Sequence, residues 1–287
     1  MLDGYDDKAN VLGAKDVGHN GTCLHPGEEV HRGGGRGKRK KENEMDELLT
    51  HALEAHGGLD NWSKVATLTA QVSLDGPFWD WRKQPGIRQP QTMKLDTHRE
   101  HITLTPFAGD NLTMEFQGHP ERIAIRSANG AVIEEKDNPK ASFPPYNDDI
   151  EWNSLQLAYF TGTANWNYLV EPFLFANPDV QVREIEPWKE GSEVWRRLAV
   201  TFPPELPNHN PDQVFYYDEN FMLRRMDYSP DITGKSQIAH YTHDPRVFDG
   251  FVFYTRRLVH VRDENGIANQ DFAAITIATH SVSVERR

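Results

Sequence analysis

One segment near the middle of the chain constrains the fold more than any other: IEWNSLQLAYFTGTANWNYLVEPFLFANPD, residues 150–179. Its large apolar side chains fall on every side of a helical wheel instead of forming one stripe. A helix that is apolar all round has to be enclosed by other structure, because none of its faces is suited to water. We therefore expect other elements to surround this segment, and we expect Gly162 to break it into two helices.

The sequence on both sides of this segment has a period of two residues, which is typical of half-buried strands. Examples are TLTAQVSLDG and HITLTPF before it, and DQVFYYDENFMLRRMDY and GFVFYTRRLVHVR after it. Asn129-Gly130, Asp218–Asn220 and Asp263–Gly266 predict tight hairpin turns. No helical pattern separates successive strands, which argues against a parallel sheet. The sequence thus predicts a mainly antiparallel β fold with few helices, in which about a dozen strands form a single strongly curved sheet wrapped around the helices.

We interpret residues 45–287 as one domain that opens with a helix in MDELLTHALEAHGG. The apolar stripe of this helix recurs at helical spacing: Leu49, Ala52, Leu53 and His56. Gly57-Gly58 supplies the residue free to adopt positive φ that ends such a helix.

Residues 1–44 hold 9 of the 21 glycines and few apolar side chains, which predicts a disordered tail. We interpret its basic run, Arg32 to Lys41, as a solvated run in preference to an RNA-binding or targeting patch. Met45 is an alternative start that would make the tail non-native. The single cysteine, Cys23, lies in the tail, so residues 45–287 hold no thiol for a disulfide, a cysteine zinc site or a cysteine nucleophile.

The formal net charge of −12 lies entirely on residues 45–287, because residues 1–44 carry equal numbers of acidic and basic side chains. This charge argues against nucleic acid or an anionic membrane as the main partner. No apolar run approaches the roughly 18 residues of a membrane-spanning helix, and the start lacks the apolar core of a signal peptide. We expect a cytoplasmic protein without integral membrane contact, and the oligomeric state stays open.

Three stretches resemble a known superfamily: ALEAHGGLDNWSKVATLTAQVSL, VFYYDENFMLRRMDY and FDGFVFYTRRLVHVR. Their order is similar to that in the periplasmic lipoprotein carriers and outer-membrane lipoprotein-sorting proteins, over residues 46–285. In that superfamily an open half-barrel of antiparallel strands curls round helices. The resemblance implies the same half-barrel here, as a soluble member, with a cavity for an acyl chain or another apolar molecule.

The densest group of chemically versatile residues is His240-x-x-His243-Asp244. On a strand, His240 and Thr242 point to one face while Tyr241 and His243 point to the other. Two histidines three residues apart then cannot share a metal ion, and His98-x-x-His101 fails for the same reason. We expect no metal site and no cofactor.

Our leading hypothesis is that the concave face of the half-barrel binds a hydrophobic small molecule or lipid. The candidate ligand-binding residues are Trp152, Tyr159, Phe160, Trp166, Tyr228, His240 and Arg256. The alternative is that the aromatic residues of this list only pack in the hydrophobic core and bind no ligand. An inward arginine, Arg224 or Arg256, would need a partner such as Asp244 or Asp249.

Two other classes of function stay open. In an enzyme acting on an apolar substrate, His240, His243 or His209 would be the acid or base, because a neutral imidazole titrates near pH 6.5. His209 lies in a predicted loop, where a histidine is usually solvated. A structural interaction module would have no pocket at all.

Overall fold

The computed structural model describes residues 45–109, 111–147 and 149–287. The predicted tail, its basic run and Cys23 lie outside the described residues. The helices are α1 (Glu47–Ala55), α2 (Leu59–Trp62), α3 (Phe78–Trp81) and α4 (Ser154–Val170), with 3-10 turns at Pro85–Arg88, Pro139–Ser142, Phe173–Ala176 and Asp231–Thr233. The strands are β1 (Val65–Asp75), β2 (Gln91–Asp96), β3 (His101–Thr105), β4 (Thr113–Gln117), β5 (Arg122–Arg126), β6 (Val132–Asp137), β7 (Gln181–Glu190), β8 (Glu193–Thr201), β9 (Asp212–Tyr217), β10 (Leu223–Tyr228), β11 (Ile238–Phe248), β12 (Phe251–Val261) and β13 (Ile275–Arg286).

These strands form one 13-stranded sheet in the order β6-β5-β4-β3-β2-β1-β13-β12-β11-β10-β9-β8-β7. The first six strands run from the centre to one edge as successive hairpins, and the last seven return from the other edge to the centre. There β13 pairs antiparallel with β1, from Val65 opposite Arg286 to Asp75 opposite Thr276. Helix α4 joins the two edges. The predicted antiparallel fold is confirmed, including the hairpin turns at Asn129-Gly130 and Asp218–Asn220.

Strands of both halves contact α4. Phe116 of β4 lies against the tyrosine ring of Tyr159 from one side, and Tyr228 of β10 reaches Tyr168 from the other. A single sheet whose two halves touch the same helix has to curve round it. The apolar side chains of the concave face and those of α4 therefore form one continuous core. The predicted curved sheet wrapped around a helix is confirmed.

Helix α4 starts with a capping box, in which Asn153 accepts from the backbone N–H of Gln156 and the Gln156 side chain accepts from that of Asn153. The predicted break at Gly162 is wrong, because α4 continues through it to Val170. The reason is packing: a Cβ on Gly162 would lie 2.6 Å from Cβ of Phe116. The glycine is thus a contact point between helix and sheet, and the second predicted helix is only the 3-10 turn Phe173–Ala176.

Helix α1 begins at its N-cap Asp46, whose carboxylate accepts from the backbone N–H groups of Leu48 and Leu49. The same carboxylate accepts from the N–H of Glu184 on β7 at 2.9 Å. One side chain therefore caps the helix and ties it to the edge strand. The predicted stripe of α1 is confirmed, since Leu49, Ala52 and Leu53 are buried.

We predict that Gly162→Ala destabilises the protein although alanine is the better helix former by about 1 kcal/mol. Overpacking of a filled core costs about 1–3 kcal/mol, and here the new methyl group meets Phe116. Urea denaturation followed by circular dichroism should show a lower free energy of unfolding for Gly162→Ala, and a larger loss for Gly162→Val. An alanine variant at least as stable as the wild type would show that α4 and β4 are not in tight contact.

Candidate functional site

The two histidines of the densest motif lie on opposite faces of β11, as predicted. His240 is fully buried on the concave face, with its ring 4.7 Å from that of Tyr168 on α4. His243 lies on the convex face, where it stacks with Tyr241. Within residues 45–109, 111–147 and 149–287, no three His, Cys, Asp or Glu side chains are placed to hold a metal ion.

A chain of hydrogen bonds links four buried side chains on the concave side. The hydroxyl of Tyr168 lies 2.6 Å from Nε2 of His209 and 3.1 Å from the hydroxyl of Tyr228, which in turn lies 3.3 Å from Nδ1 of His240. The solvated environment predicted for His209 is wrong: its ring stacks on Tyr228 at 4.3 Å, inside the fold. Burial lowers the pKa of His209 to about 3 and also lowers the pKa of His240. Both imidazoles are therefore neutral at physiological pH.

The arginine that enters this interior is Arg257, not Arg256 or Arg224. Its guanidinium donates to the carbonyl of Tyr168 at 2.9 Å and lies 3.6 Å from the carboxylate of Glu171. Both side chains are almost completely buried. Burial outweighs the attraction of Arg257 and raises the pKa of Glu171 to about 7.

The predicted ligand contact Arg256 instead points to the convex side and forms an exposed ion pair with Asp244. It lies directly opposite His243 in the β11–β12 ladder, and directly opposed residues share a face. The prediction was one residue out of phase, and such a shift moves a side chain to the other face. Arg224 pairs with Asp218 and lies over Trp195, also away from the interior.

The convex face holds its own buried arginine, Arg225. Its guanidinium donates to both carboxylate oxygens of Asp227, at 2.6 and 2.9 Å, and to the carbonyl of Gly266. The rings of Trp188, Tyr216 and Tyr241 surround it at 4.9 to 5.4 Å. These contacts fasten the β12–β13 loop to the outside of the sheet and have a structural role.

The concave interior is filled. Three small cavities border Tyr168, Tyr228, Tyr159, Phe160 or His209, and they hold only about 10 to 20 Å³ each. A cavity of this size admits at most about one water molecule. Trp152 packs against Phe78 and Phe160 as part of the same aromatic core. Most of the predicted ligand-binding residues thus lie in core packing beneath α4.

A large open space lies elsewhere, at the end of the half-barrel where α4 passes into the 3-10 turn. This groove has a volume of about 830 Å³. Its apolar lining comprises Leu59, Trp62, Trp166, Phe173, Leu174 and Leu206. Trp62 and Phe173 stack at 4.2 Å, and Trp166 is fixed by a hydrogen bond from its indole N–H to the carbonyl of Asp96.

Of the predicted ligand-binding residues, Trp166 is the one that borders this groove. Trp62 and Phe173 also line the groove and were not among the predicted residues. Phe173 belongs to the aromatic segment but was assigned to a helix, and Trp62 belongs to the short helical turn LDNW, whose meeting with that segment depends on long-range packing.

The polar lining of the groove comes from the β2–β3 and β4–β5 turns and the adjoining strand ends: Thr97, His98, Arg99, Glu100, His101, Gln117 and His119. Arg99 pairs with Asp96, and His101 lies 3.0 Å from the carboxylate of Glu115. Glu100 differs from its neighbours because both of its carboxyl oxygens are buried with no hydrogen-bond partner among the described residues. The groove is therefore amphipathic, with both apolar and polar side chains in its lining.

No protein-family model and no curated protein matches the sequence. Similar solved structures include a putative outer membrane lipoprotein-sorting protein domain from Vibrio parahaemolyticus, at 8% identity and a TM-score of 0.46, covering 83% of this chain and 91% of that one. A LolA superfamily protein from Nitrosomonas europaea is 8% identical with a TM-score of 0.47, covering 84% and 93%. A DUF1329 family protein from Desulfovibrio piger is 10% identical with a TM-score of 0.39, covering 83% and 92%. The likeness to these proteins is one of fold.

None of the helices in the described part of the chain is long and apolar enough to span a bilayer.

We predict that the buried Glu171 makes stability depend on pH. Its pKa rises from an ordinary 4.5 to about 7 on folding, so the folded state keeps a proton that the unfolded chain releases within this window. The stability due to the neutral carboxyl is present below about pH 4.5 and is lost as pH rises through about 7. Glu171→Gln stays neutral and should gain up to about 3 kcal/mol relative to wild type across the window.

Urea denaturation at several pH values between about 5 and about 8 checks this difference. The exposed Glu219→Gln variant should follow the wild type throughout. Parallel pH profiles for wild type and Glu171→Gln would show that Glu171 is ionised in the folded state at all these pH values.

Proposed function

We propose that this protein binds a hydrophobic or amphipathic small molecule, such as a lipid, in the groove at the end of the half-barrel. The observation that carries this proposal is the groove itself, about 830 Å³ in volume with an apolar wall formed by Trp62, Trp166, Phe173 and Leu174. Pockets for small molecules have volumes of roughly 300–1,000 Å³ and are lined mainly by apolar and aromatic side chains with a few polar groups.

The site differs from the one expected on the concave face. Beneath α4 the side chains leave only the small cavities described above, so a ligand there would have to displace α4 or its aromatic side chains. The groove needs no such rearrangement, because its wall is already assembled and Trp62 and Trp166 are held by ring stacking and a hydrogen bond. A preformed wall lowers the entropic cost of binding.

The alternative of an enzyme that uses His240, His243 or His209 gains no specific support. His209 and His240 belong to a closed hydrogen-bonded chain next to cavities of at most about 20 Å³. His243 lies on the other face of the sheet. The cavities next to His209 and His240 are thus too small for a substrate, and His243 does not line the groove.

We predict that Ala176→Trp blocks binding. Ala176 borders the groove and is only partly buried, so an indole there would occupy the space of the ligand. Titration with the neutral apolar dye Nile red should show a saturable fluorescence increase with wild type and at least about ten-fold weaker binding with Ala176→Trp, since loss of one apolar subsite costs about 1–3 kcal/mol.

The matched control is Val247→Trp, which adds the same indole at an exposed site on β11 outside the groove. It should bind the dye as the wild type does, and both variants should keep the wild-type urea midpoint. No saturable binding by the wild type, or equal affinities of the two tryptophan variants, would contradict the proposal.

A further inference from the structure

Glu100 is the most unusual polar group of the groove. It immediately precedes β3, lines the groove, and is 6% exposed. Both carboxyl oxygens are buried, and no described residue gives either of them a hydrogen bond. A buried polar group without a partner costs free energy, and nearly all buried polar groups in folded proteins have one. An unsatisfied carboxyl beside an open groove therefore points to a partner that enters from the groove.

The side chain of Glu100 occupies the space beside Gly118, which has no side chain of its own. Gly118, at the end of β4, donates its backbone N–H to the carbonyl of Glu100 at 2.7 Å. A Cβ on Gly118 would lie 2.8 Å from Cδ of Glu100, so only glycine leaves this slot open. In this slot the carboxyl is covered. To meet a ligand it has to turn toward the groove by rotation about its own side-chain torsions.

The charged residues near Glu100 indicate which charge a ligand group bound there would carry. Burial, together with the nearby carboxylate of Glu121, raises the pKa of Glu100, which favours its protonated form when no cation is bound. Arg99, which also lines the groove, is paired with Asp96, and Glu205 adds another carboxylate on the rim. His101 is already engaged by Glu115. A carboxylate head group would offer no donor to the Glu100 oxygens, whereas a protonated amine would supply N–H donors to them.

We propose that the groove takes a cationic amphiphile, with its apolar part on the Trp62–Trp166 wall and a protonated amine hydrogen-bonded to Glu100. This inference rests on the proposed function of the groove. An ammonium group supplies the N–H donors that the Glu100 oxygens lack, and charge-assisted hydrogen bonds of this kind are roughly twice as strong as neutral ones. The ligand class is thus an alkyl or aralkyl amine in its protonated form.

Three probes of equal chain length separate the head group from the tail: decylammonium chloride, sodium decanoate and decan-1-ol. Isothermal titration calorimetry with the wild type should give an affinity for decylammonium at least about ten-fold higher than for either of the others, as expected for one buried charged hydrogen bond. Glu100→Gln keeps the shape of the side chain but cannot become the anion that a bound ammonium group would stabilise. It should abolish this preference and leave the affinity for decan-1-ol within about two-fold of wild type.

The matched control is Glu219→Gln, which removes an exposed carboxylate that does not line the groove and should keep the preference for decylammonium. Wild type that binds the three probes equally, or a Glu100→Gln variant that keeps the preference, would overturn the amine inference while leaving the groove as a binding site. Failure of all three probes to bind would overturn the proposed function, and the inference with it. If Glu100→Gln does not fold, the ranking of the probes by the wild type decides alone.

Discussion

The close contact between α4 and β4 is the constraint on which the rest of this architecture depends. Gly162 lets the helix approach Phe116 so closely that a single methyl group would not fit between them. A helix held against one half of the sheet and hydrogen-bonded to the other through Tyr168 fixes how far the sheet can curl. The 17 residues of α4 are therefore a core element that the strands enclose, which is why every side of the helix has to be apolar or hydrogen-bonded.

Enclosing such a helix brings polar groups inside. Tyr168 carries its hydroxyl into the core, where it meets His209 and Tyr228, and its backbone carbonyl accepts from Arg257. His209 and His240, the two histidines of this hydrogen-bonded network, stay neutral because burial lowers their pKa values. The ion pair of Arg257 with Glu171 is less well satisfied, since 3.6 Å exceeds a good hydrogen bond. Tyr168 thus links α4 to the C-terminal half of the sheet through polar groups, while the N-terminal half is held by the packing of Gly162 on Phe116 and the hydrogen bond from Trp166 to Asp96.

Local sequence patterns predicted the architecture well, but they did not predict which side chains line the groove. Alternation and turn residues such as Asn129-Gly130 are encoded within a few residues, so they predicted strands and hairpins correctly. The enclosed helix followed from its all-round apolar character. The faces of Arg256 and Arg257 depend on the phase of a single strand, which a bend or bulge shifts by one residue. The conformation of Gly162 depends on Phe116, 46 positions earlier in the chain, and no local pattern encodes that contact.

The position of the groove follows from the same packing. Because α4 and its aromatic side chains fill the concave face, the groove opens where the helix ends and the chain turns through Phe173–Ala176. The β2–β3 and β4–β5 turns also border this space, and turns carry polar residues such as Thr97 and His119. The groove therefore combines apolar side chains from the helical segments with polar side chains from the turns. Within this setting Glu100 is the one groove carboxylate drawn inward, because Gly118 opposite it leaves a space that any other side chain would occupy.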